Sequence, residues 1–591
     1  MDSMTFDAAS QLVQMLSEQL EAHRNTDVDV VPERGDIIPA SDDSTRWIFD
    51  EWEAIERAQD SMLDVINTYT IPRISKLRSH YNHTTRIYRL PFEILVSVFR
   101  FVVDSDASEL PSARPPLQLA GVSRRWREVV LGTPTLWARI GTEAGASGDL
   151  INIFLARSKV AALDVGLAID DEDSDLVRFP TLRSDPKSHH HQCVHRVLEA
   201  LSPHTSRLRS LSFENVPAFH DYPLSPAPQL EVLRYVGRRT PAGSHMCFAP
   251  TNIFAGHTPR LRDLKLESVH IPLTSLIYTG LTRLHLENIY YGSSATHDLI
   301  HALKACPLLE ELTLLYIIFN EATDEHPTSS SVHEPVTLAM LRSIAIHPGT
   351  LASKVFTSIV VPSSSLLVLP LCNYEDFNSV VSKARGNLKN LARICSLHLR
   401  YLSSMQTRHI DYPGPGYGFL GETASKNGLT LLQIPISRQG GGGRDTLFPS
   451  ISQFFALQIE TLSLTGMPGA LFLTVSHCFA ILSDLTGLTK LSLESCASAG
   501  SFLKALVVTP TSHLCPRLAK LCLAYISGLD DALIETVKSR GSLGDNRAGR
   551  LRKVTLAECP LADECIEVLK NYVQVKVRLR ALHLPFRRVL R

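Results

Sequence analysis

"PRLRDLKLESV", residues 259–269, holds leucines at Leu261, Leu264 and Leu266 with charged residues between them. The alternation Leu264-Lys265-Leu266 has the period of a strand with one buried face. The frame Pro-x-Leu-x-x-Leu-x-Leu returns in "PLLEELTLLYI" (307–317) and "PRLAKLCLAYI" (516–526). "PQLEVLRYV" (228–236) keeps it with Tyr235 at the last apolar position. Without the proline, the core recurs in "LRSLSFENV" (208–216), "LTRLHLENI" (281–289), "LRSIAIHPG" (341–349), "IETLSLTGM" (459–467), "LTKLSLESC" (488–496) and "LRKVTLAEC" (551–559). In the C-terminal set the first apolar positions are 459, 488, 518 and 551, which lie 29, 30 and 33 residues apart. In the N-terminal set the steps run from 20 to 32 residues.

One such unit cannot bury its apolar face alone, but a stack can. The period and the L-x-x-L-x-L core resemble the leucine-rich repeat, with one strand per unit. That resemblance implies an irregular α/β solenoid over 201–591. The frame is weakest at 350–450, where "LHLRYL" (397–402) and "LTLLQI" (429–434) read as strands and "RQGGGGRDT" (438–446) as a flexible loop. Cys496 and Cys559 fall where these repeats place a small buried residue, so they read as structural thiols. "RLRALHLPFRRVLR" (578–591) reads as a cap on the end of the stack. Upstream, 141–200 reads as a connecting segment, with a first alternating strand at "LDVGLAI" (163–169) and a polar, histidine-bearing loop.

The first 140 residues have a different character. Phe6, Ala9, Leu12, Val13, Leu16 and Leu20 are spaced as an amphipathic helix. Residues 27–44 are acidic, carry two prolines and read as a linker, so 1–44 forms a helix-plus-linker segment. Over 45–84 a second helix is expected from Thr45 to Tyr69, with Ile48, Trp52, Ile55, Met62 and Ile66 on its apolar side and Pro72 beyond its end. Packing on the next domain is preferred to a coiled coil, because short seams are marginal alone.

Residues 85–140 read as a small all-α unit of three helices. "IYRLPFEILVSVFRFVV" (87–103) puts Pro91 at a first helical position and Glu93 by the positive end of the helix dipole. Ile94, Leu95, Val98, Phe99 and Val102 make one apolar stripe. "DSDASELPSARPP" (104–116) reads as a loop. A second helix carries Leu119, Val122, Trp126, Val129 and Val130, and a third begins after Thr133-Pro134 with Leu136, Trp137 and Ile140. A unit of ~55 residues builds little core of its own. Its surplus of large apolar side chains points to a partner surface.

Composition narrows the function classes. Basic and acidic residues number 59 and 60, which gives no global attraction to nucleic acid or to a membrane surface. The eleven cysteines form no C-x-x-C pair, and no run of ~18 apolar residues exists. With no basic start followed by an apolar run, the expectation is an intracellular protein, cytoplasmic or nuclear. No G-x-S-x-G, H-E-x-x-H or G-x-x-x-x-G-K-[ST] occurs. Gly440–Gly443 lacks the flanks of a phosphate loop, and His189, His190, His191, Cys193 and His195 lie in a polar loop rather than a rigid metal site. No catalytic, cofactor-binding or metal residues are therefore expected.

The segment 87–140 resembles the F-box. The carrying residues are Leu90, Pro91, Glu93, Ile94, Leu95 and Phe99; then Val122, Ser123, Arg124, Trp126 and Arg127; then Thr133, Pro134, Leu136 and Trp137. The departures are Val98 where isoleucine is common and a longer loop at 104–116. The resemblance implies a non-catalytic substrate adaptor of an SCF-type ubiquitin ligase. The F-box would bind a Skp-type linker protein through Leu90, Pro91, Ile94, Leu95, Val98, Phe99, Val122 and Trp126, and through it a cullin–RING ligase. The repeats would hold a protein substrate. Two alternatives are a non-degradative scaffold and, from another class, an enzyme with a diffuse site at 350–450.

Overall fold

The computed structural model describes residues 71–104, 114–141, 148–168, 196–215, 225–237, 253–292, 295–319, 334–347, 349–370, 377–402, 416–424, 428–436, 458–466, 473–541 and 550–578. It also describes scattered positions between 14 and 68 and short pieces at 247–248, 405–406, 411–412 and 454–455. The expected linker 27–44, the glycine run 440–443, the histidine tract 189–195 and the cap beyond Arg578 lie outside the described residues, as does the helix at 6–20 except at Gln14 and Glu18. The chain divides into two units, Met1–Leu90 and Pro91–Arg591.

In the first unit the described positions from Phe49 to Leu63 are helical, with Trp52 and Ile55 exposed. Helix α1 spans Ile71–Thr84 and buries no side chain. Pro72 does not lie past a helix end, as expected from sequence; it sits in the first turn of α1, where its missing N–H costs nothing. A 3-10 turn, Arg86–Arg89, comes next and buries Tyr88, whose ring lies 4.6 Å from that of His83.

The second unit opens with α2 (Phe92–Asp104), α3 (Arg114–Val122), α4 (Arg124–Gly132) and a 3-10 turn at Pro134–Trp137. The single helix expected over 119–130 is two helices. Ser123 breaks it, because its hydroxyl accepts the Trp126 N–H at 3.2 Å and caps α4. The loop expected through Pro116 ends earlier, since Pro115 and Pro116 occupy the first turn of α3. The third expected helix is the 3-10 turn and, after it, strand β1 (Arg139–Ile140).

Strand β1 is the first of a 17-stranded sheet. The next strands are β2 (Leu163–Ala168), β3 (Leu208–Glu214), β4 (Val232–Val236), β5 (Asp263–Glu267), β6 (Arg283–Glu287), β7 (Glu311–Leu315), β8 (Ser343–Ile346) and β9 (Leu366–Val368). Each lies parallel to its predecessor. The C-terminal run is also parallel: β13 (Thr461–Thr465), β14 (Lys490–Glu494), β15 (Lys520–Ala524), β16 (Lys553–Ala557) and β17 (Gln574–Arg578). A large, mostly parallel sheet built from one strand per sequence unit is consistent with a repeat solenoid. The leucines of each frame point inward: Leu264, Leu266, Leu491, Leu493, Leu521 and Leu523 are all at most 1% exposed.

The residue after most strands holds a left-handed backbone: Asn215, Ser268, Asn288, Tyr316, Ser495, Tyr525 and Glu558 have φ between 48° and 56°, and Gly466 has φ 69°. That twist carries the chain off the sheet without breaking the ladder. The N–H groups of Asn215, Ser268, Asn288, Ser495 and Tyr525 each reach the last carbonyl of the next strand, at 2.9–3.0 Å. Helices come between the strands along the chain: α5 (Gly148–Ser158), α6 (Ala295–Lys304), α7 (Thr350–Ser358), α8 (Phe377–Val381), α9 (Val475–Asp484), α10 (Ala499–Ala505), α11 (Asp530–Gly541) and α12 (Asp563–Lys570). Cys496 is buried, and burial pushes its thiol pKa up to about 11; Cys559 is half-buried.

The weak stretch at 350–450 departs from the one-strand rule. Strands β10 (Ser396–Leu402) and β12 (Thr430–Ile436) form where sequence predicts them. Between them lies β11 (Gly416–Glu422), antiparallel to both. The meander is inserted backwards: β12 pairs with β9 and β10 with β13, both in parallel. Gly421 permits the tight approach, because a Cβ there would lie 2.8 Å from Ile394 and 3.0 Å from Leu432.

His398 on β10 is held neutral. Burial first, then the charges of Arg400 and Lys490, bring its pKa down to about 4. Glu422 lies 3.5 Å away and by itself favours the imidazolium, but its carboxylate is engaged by Arg400 at 3.1 Å. The unfolded imidazole takes its proton near the ordinary value of 6.5, so the unfolded chain binds more protons between there and pH 4. The stability from this group is therefore complete above pH 6.5 and falls as pH drops toward 4. We expect a loss of about 2 kcal/mol over that interval, reduced from the full pKa difference because Glu422 is near. Urea midpoints measured across pH check it: His398→Gln flattens the slope, and an unchanged slope contradicts it.

Candidate functional site

Among the described residues no group of His, Cys, Asp or Glu is arranged to hold a metal ion. The sequence-predicted site residues gather instead at the start of the second unit and just before it. Leu90 ends the first unit, half-buried, with its N–H on the Ile87 carbonyl at 3.3 Å. Pro91 is exposed and gives its carbonyl to the Leu95 N–H at 3.1 Å, which starts α2.

Helix α2 is apolar on more than one side. Leu95, Phe99 and Val103 recur every four residues and are at most 4% exposed. They form the inner stripe. Phe99 meets Trp126 of α4 at a ring distance of 4.7 Å, and Trp126 is half-buried. A second stripe stays open. Ile94 is 47% exposed, Val98 38% and Phe101 74%. At about 100° per residue these lie within a face about 60° wide beside the buried one. Val122 at the end of α3 is 56% exposed. Phe92, Leu117 and Leu131 are further exposed apolar side chains of this helical region. Thus Leu95 and Phe99 are enclosed, while Pro91, Ile94, Val98 and Val122 face outward.

Phe101 is absent from the sequence-predicted set. A signal for it exists, since it lies seven residues after Ile94, on the same helical face.

Polar contacts fix the helical region. Arg100 donates to the Thr135 hydroxyl at 3.0 Å, and Arg139 pairs with Asp104 at 3.1 Å. These contacts anchor both ends of the last turn of α2 to the 3-10 turn and to β1. Trp137 is 2% exposed; its indole N–H donates to the Val130 carbonyl at 2.8 Å. Its ring meets Phe154 of α5 edge-on at 5.0 Å, and the Arg157 guanidinium lies 4.7 Å above it. Trp137 is therefore an internal joint between the helical region and the sheet. The open stripe is held on a rigid base rather than on a loop.

Residues 87–143 match the family model for F-box-like domains. No curated protein matches the chain. The chain thus carries an F-box-like domain, followed by a mixed helix-and-strand region with a large sheet. No helix among the described residues is long and apolar enough to cross a membrane.

Proposed function

We propose that this protein is the substrate-recognition adaptor of an SCF-type ubiquitin ligase. The observation that carries this reading is the F-box-like match at 87–143 coinciding with an exposed apolar stripe on α2. F-box domains generally act as non-catalytic adaptors. The stripe of Pro91, Ile94, Val98 and Phe101, together with the exposed Val122, is the surface for a Skp-type linker protein. Trp126 of α4 packs on Phe99, and with Leu95 these residues hold the helices that present it. Large apolar groups on a rigid base are the usual energetic centre of an interface. The linker joins the chain to a cullin and a RING subunit. The sheet then holds a protein substrate near the transferred ubiquitin, so the contribution to rate is proximity rather than side-chain chemistry.

Affinity capture of the full chain from cells with the cullin inhibited tests the reading. Recovery of linker, cullin and a protein whose lifetime lengthens under that inhibition supports it. Capture without linker and cullin contradicts it.

A further inference from the structure

The outward face of the sheet changes its electrostatics along its length. From β4 to β7 each outward cation has an anion beside it. Arg234 lies 3.9 Å from Asp263, and Arg283 lies 3.7 Å from Asp263 and 3.6 Å from Glu311. Lys265 lies 3.7 Å from Glu267, and His285 lies 2.9 Å from Glu287. This part of the face is neutralised from within.

At the other end the pattern differs. Lys490, Lys520 and Lys553 occupy the same register position on three consecutive strands, β14, β15 and β16. Neighbouring strands lie about 4.8 Å apart, so the three stems stand side by side. None of them forms an ion pair among the described residues. The next strand adds Lys576 and Arg578 on the same face, in register with Thr555 and Ala557. The remaining positions on the same side of β14 to β16 are Ser492, Glu494, Cys522, Ala524, Thr555 and Ala557, with one acid among them; Thr555 and Ala557 are buried. Like charges placed directly opposite on a sheet are destabilising. Folding alone does not favour such a ladder. Its field reaches across β13, since Lys490 is among the charges that hold His398 neutral.

We propose that the outward face of β14 to β17 binds an acidic segment of the protein substrate, lying across the strands with carboxylate or phosphate groups against Lys490, Lys520 and Lys553. This rests on the adaptor reading and names the chemistry of what the adaptor selects. A segment crossing the strands meets one ammonium per strand, so anionic side chains at close spacing engage all three at once. Charge-assisted bonds of this kind outweigh neutral ones and release the repulsion among the lysines. Lys520 is exposed and Lys490 and Lys553 are half-buried, so all three reach solvent. Nothing comparable is available from β4 to β7, where binding an anion must first break an ion pair.

The test uses the full chain and a fluorescent poly-L-glutamate of about 20 residues, whose extended length spans the four strands. The variant Lys490→Gln/Lys520→Gln/Lys553→Gln removes the ladder and its repulsion, so it stays folded. Arg234→Gln/Lys265→Gln/Arg283→Gln is the control. We expect the wild type to bind in low salt, the ladder variant to bind at least tenfold more weakly, and the control to bind like the wild type. Equal binding by wild type and ladder variant, or no binding by the wild type, overturns the proposal. So does tighter ladder-dependent binding of a single-stranded polynucleotide than of poly-glutamate, which reassigns the face to nucleic acid. Skp-type linker capture, measured on the same samples, reads the adaptor proposal separately: it stands or fails whatever poly-glutamate does.

Discussion

We expect Ile94→Asp/Val98→Asp to weaken binding to a Skp-type linker by at least about 100-fold and to leave the chain folded. Both side chains are open to solvent, 47% and 38% exposed, so the folded state loses little when they become polar. In a complex they would lie at the centre of the apolar contact, where a carboxylate must be desolvated without a partner. Losses of about 2 kcal/mol or more at such anchors are usual, and two of them exceed the roughly 2.8 kcal/mol that corresponds to about 100-fold. The neighbouring Leu95 and Phe99 serve as the contrast. Both are 0% exposed, and truncating either to alanine opens a cavity worth about 3–5 kcal/mol. Those variants lose binding by loosening the helical region, and their melting falls with it. Binding is read by titration and folding by circular dichroism. If the double aspartate variant binds like wild type, the open stripe is not the interface.

Arg540→Met destabilises the sheet domain by about 3 kcal/mol. Arg540 on α11 is 0% exposed and has no carboxylate paired with it among the described residues. Its guanidinium donates to three backbone carbonyls: Leu506 at 2.8 Å, Cys515 at 3.3 Å, and Leu514. It thereby fastens the segment between α10 and β15 to the next helix. The seam is continued by the Thr536 hydroxyl on the Leu503 carbonyl at 2.8 Å and by the Val508 N–H on the Ser539 hydroxyl at 3.1 Å. Burial lowers the pKa of Arg540, so keeping the charge there is costly. Methionine removes that cost and roughly keeps the volume, but it leaves carbonyls without donors at about 1–3 kcal/mol each. The balance stays unfavourable. Urea midpoints measure it, and a shift below about 0.5 kcal/mol contradicts the account. Linker binding is unchanged in this variant, because α11 lies far along the sheet from β1.

Legibility in the sequence depends on which interactions are local. The L-x-x-L-x-L frames place strands because a buried face in a strand imposes period two. Strands such as β5, β7 and β15 form within their quoted frames. The turns after them are not legible as a residue type, since asparagine, serine, tyrosine and glutamate all take the same left-handed backbone. The reversed meander is hidden for a different reason. Its strands look ordinary, but the pairing of β12 with β9 is a non-local choice, and the glycine-bearing β11 has no repeat frame. In α2 the stripe is visible in the sequence, whereas its division is not. Leu95 and Ile94 are equally apolar; the side of α2 that packs on its neighbours, where Phe99 meets Trp126 of α4, decides which one is enclosed. Arg540 gives no signal either, because a basic residue in the last turn of a helix usually reads as solvated.

On the function proposed above, the open apolar stripe of the F-box-like domain takes a Skp-type linker. Titration calorimetry of the full chain against purified linker at several temperatures tests it most directly. A one-to-one complex is expected, whose binding enthalpy becomes more favourable on warming, the negative heat-capacity change of apolar burial. No detectable binding at concentrations of about 100 μM, or binding without that temperature dependence, would contradict it.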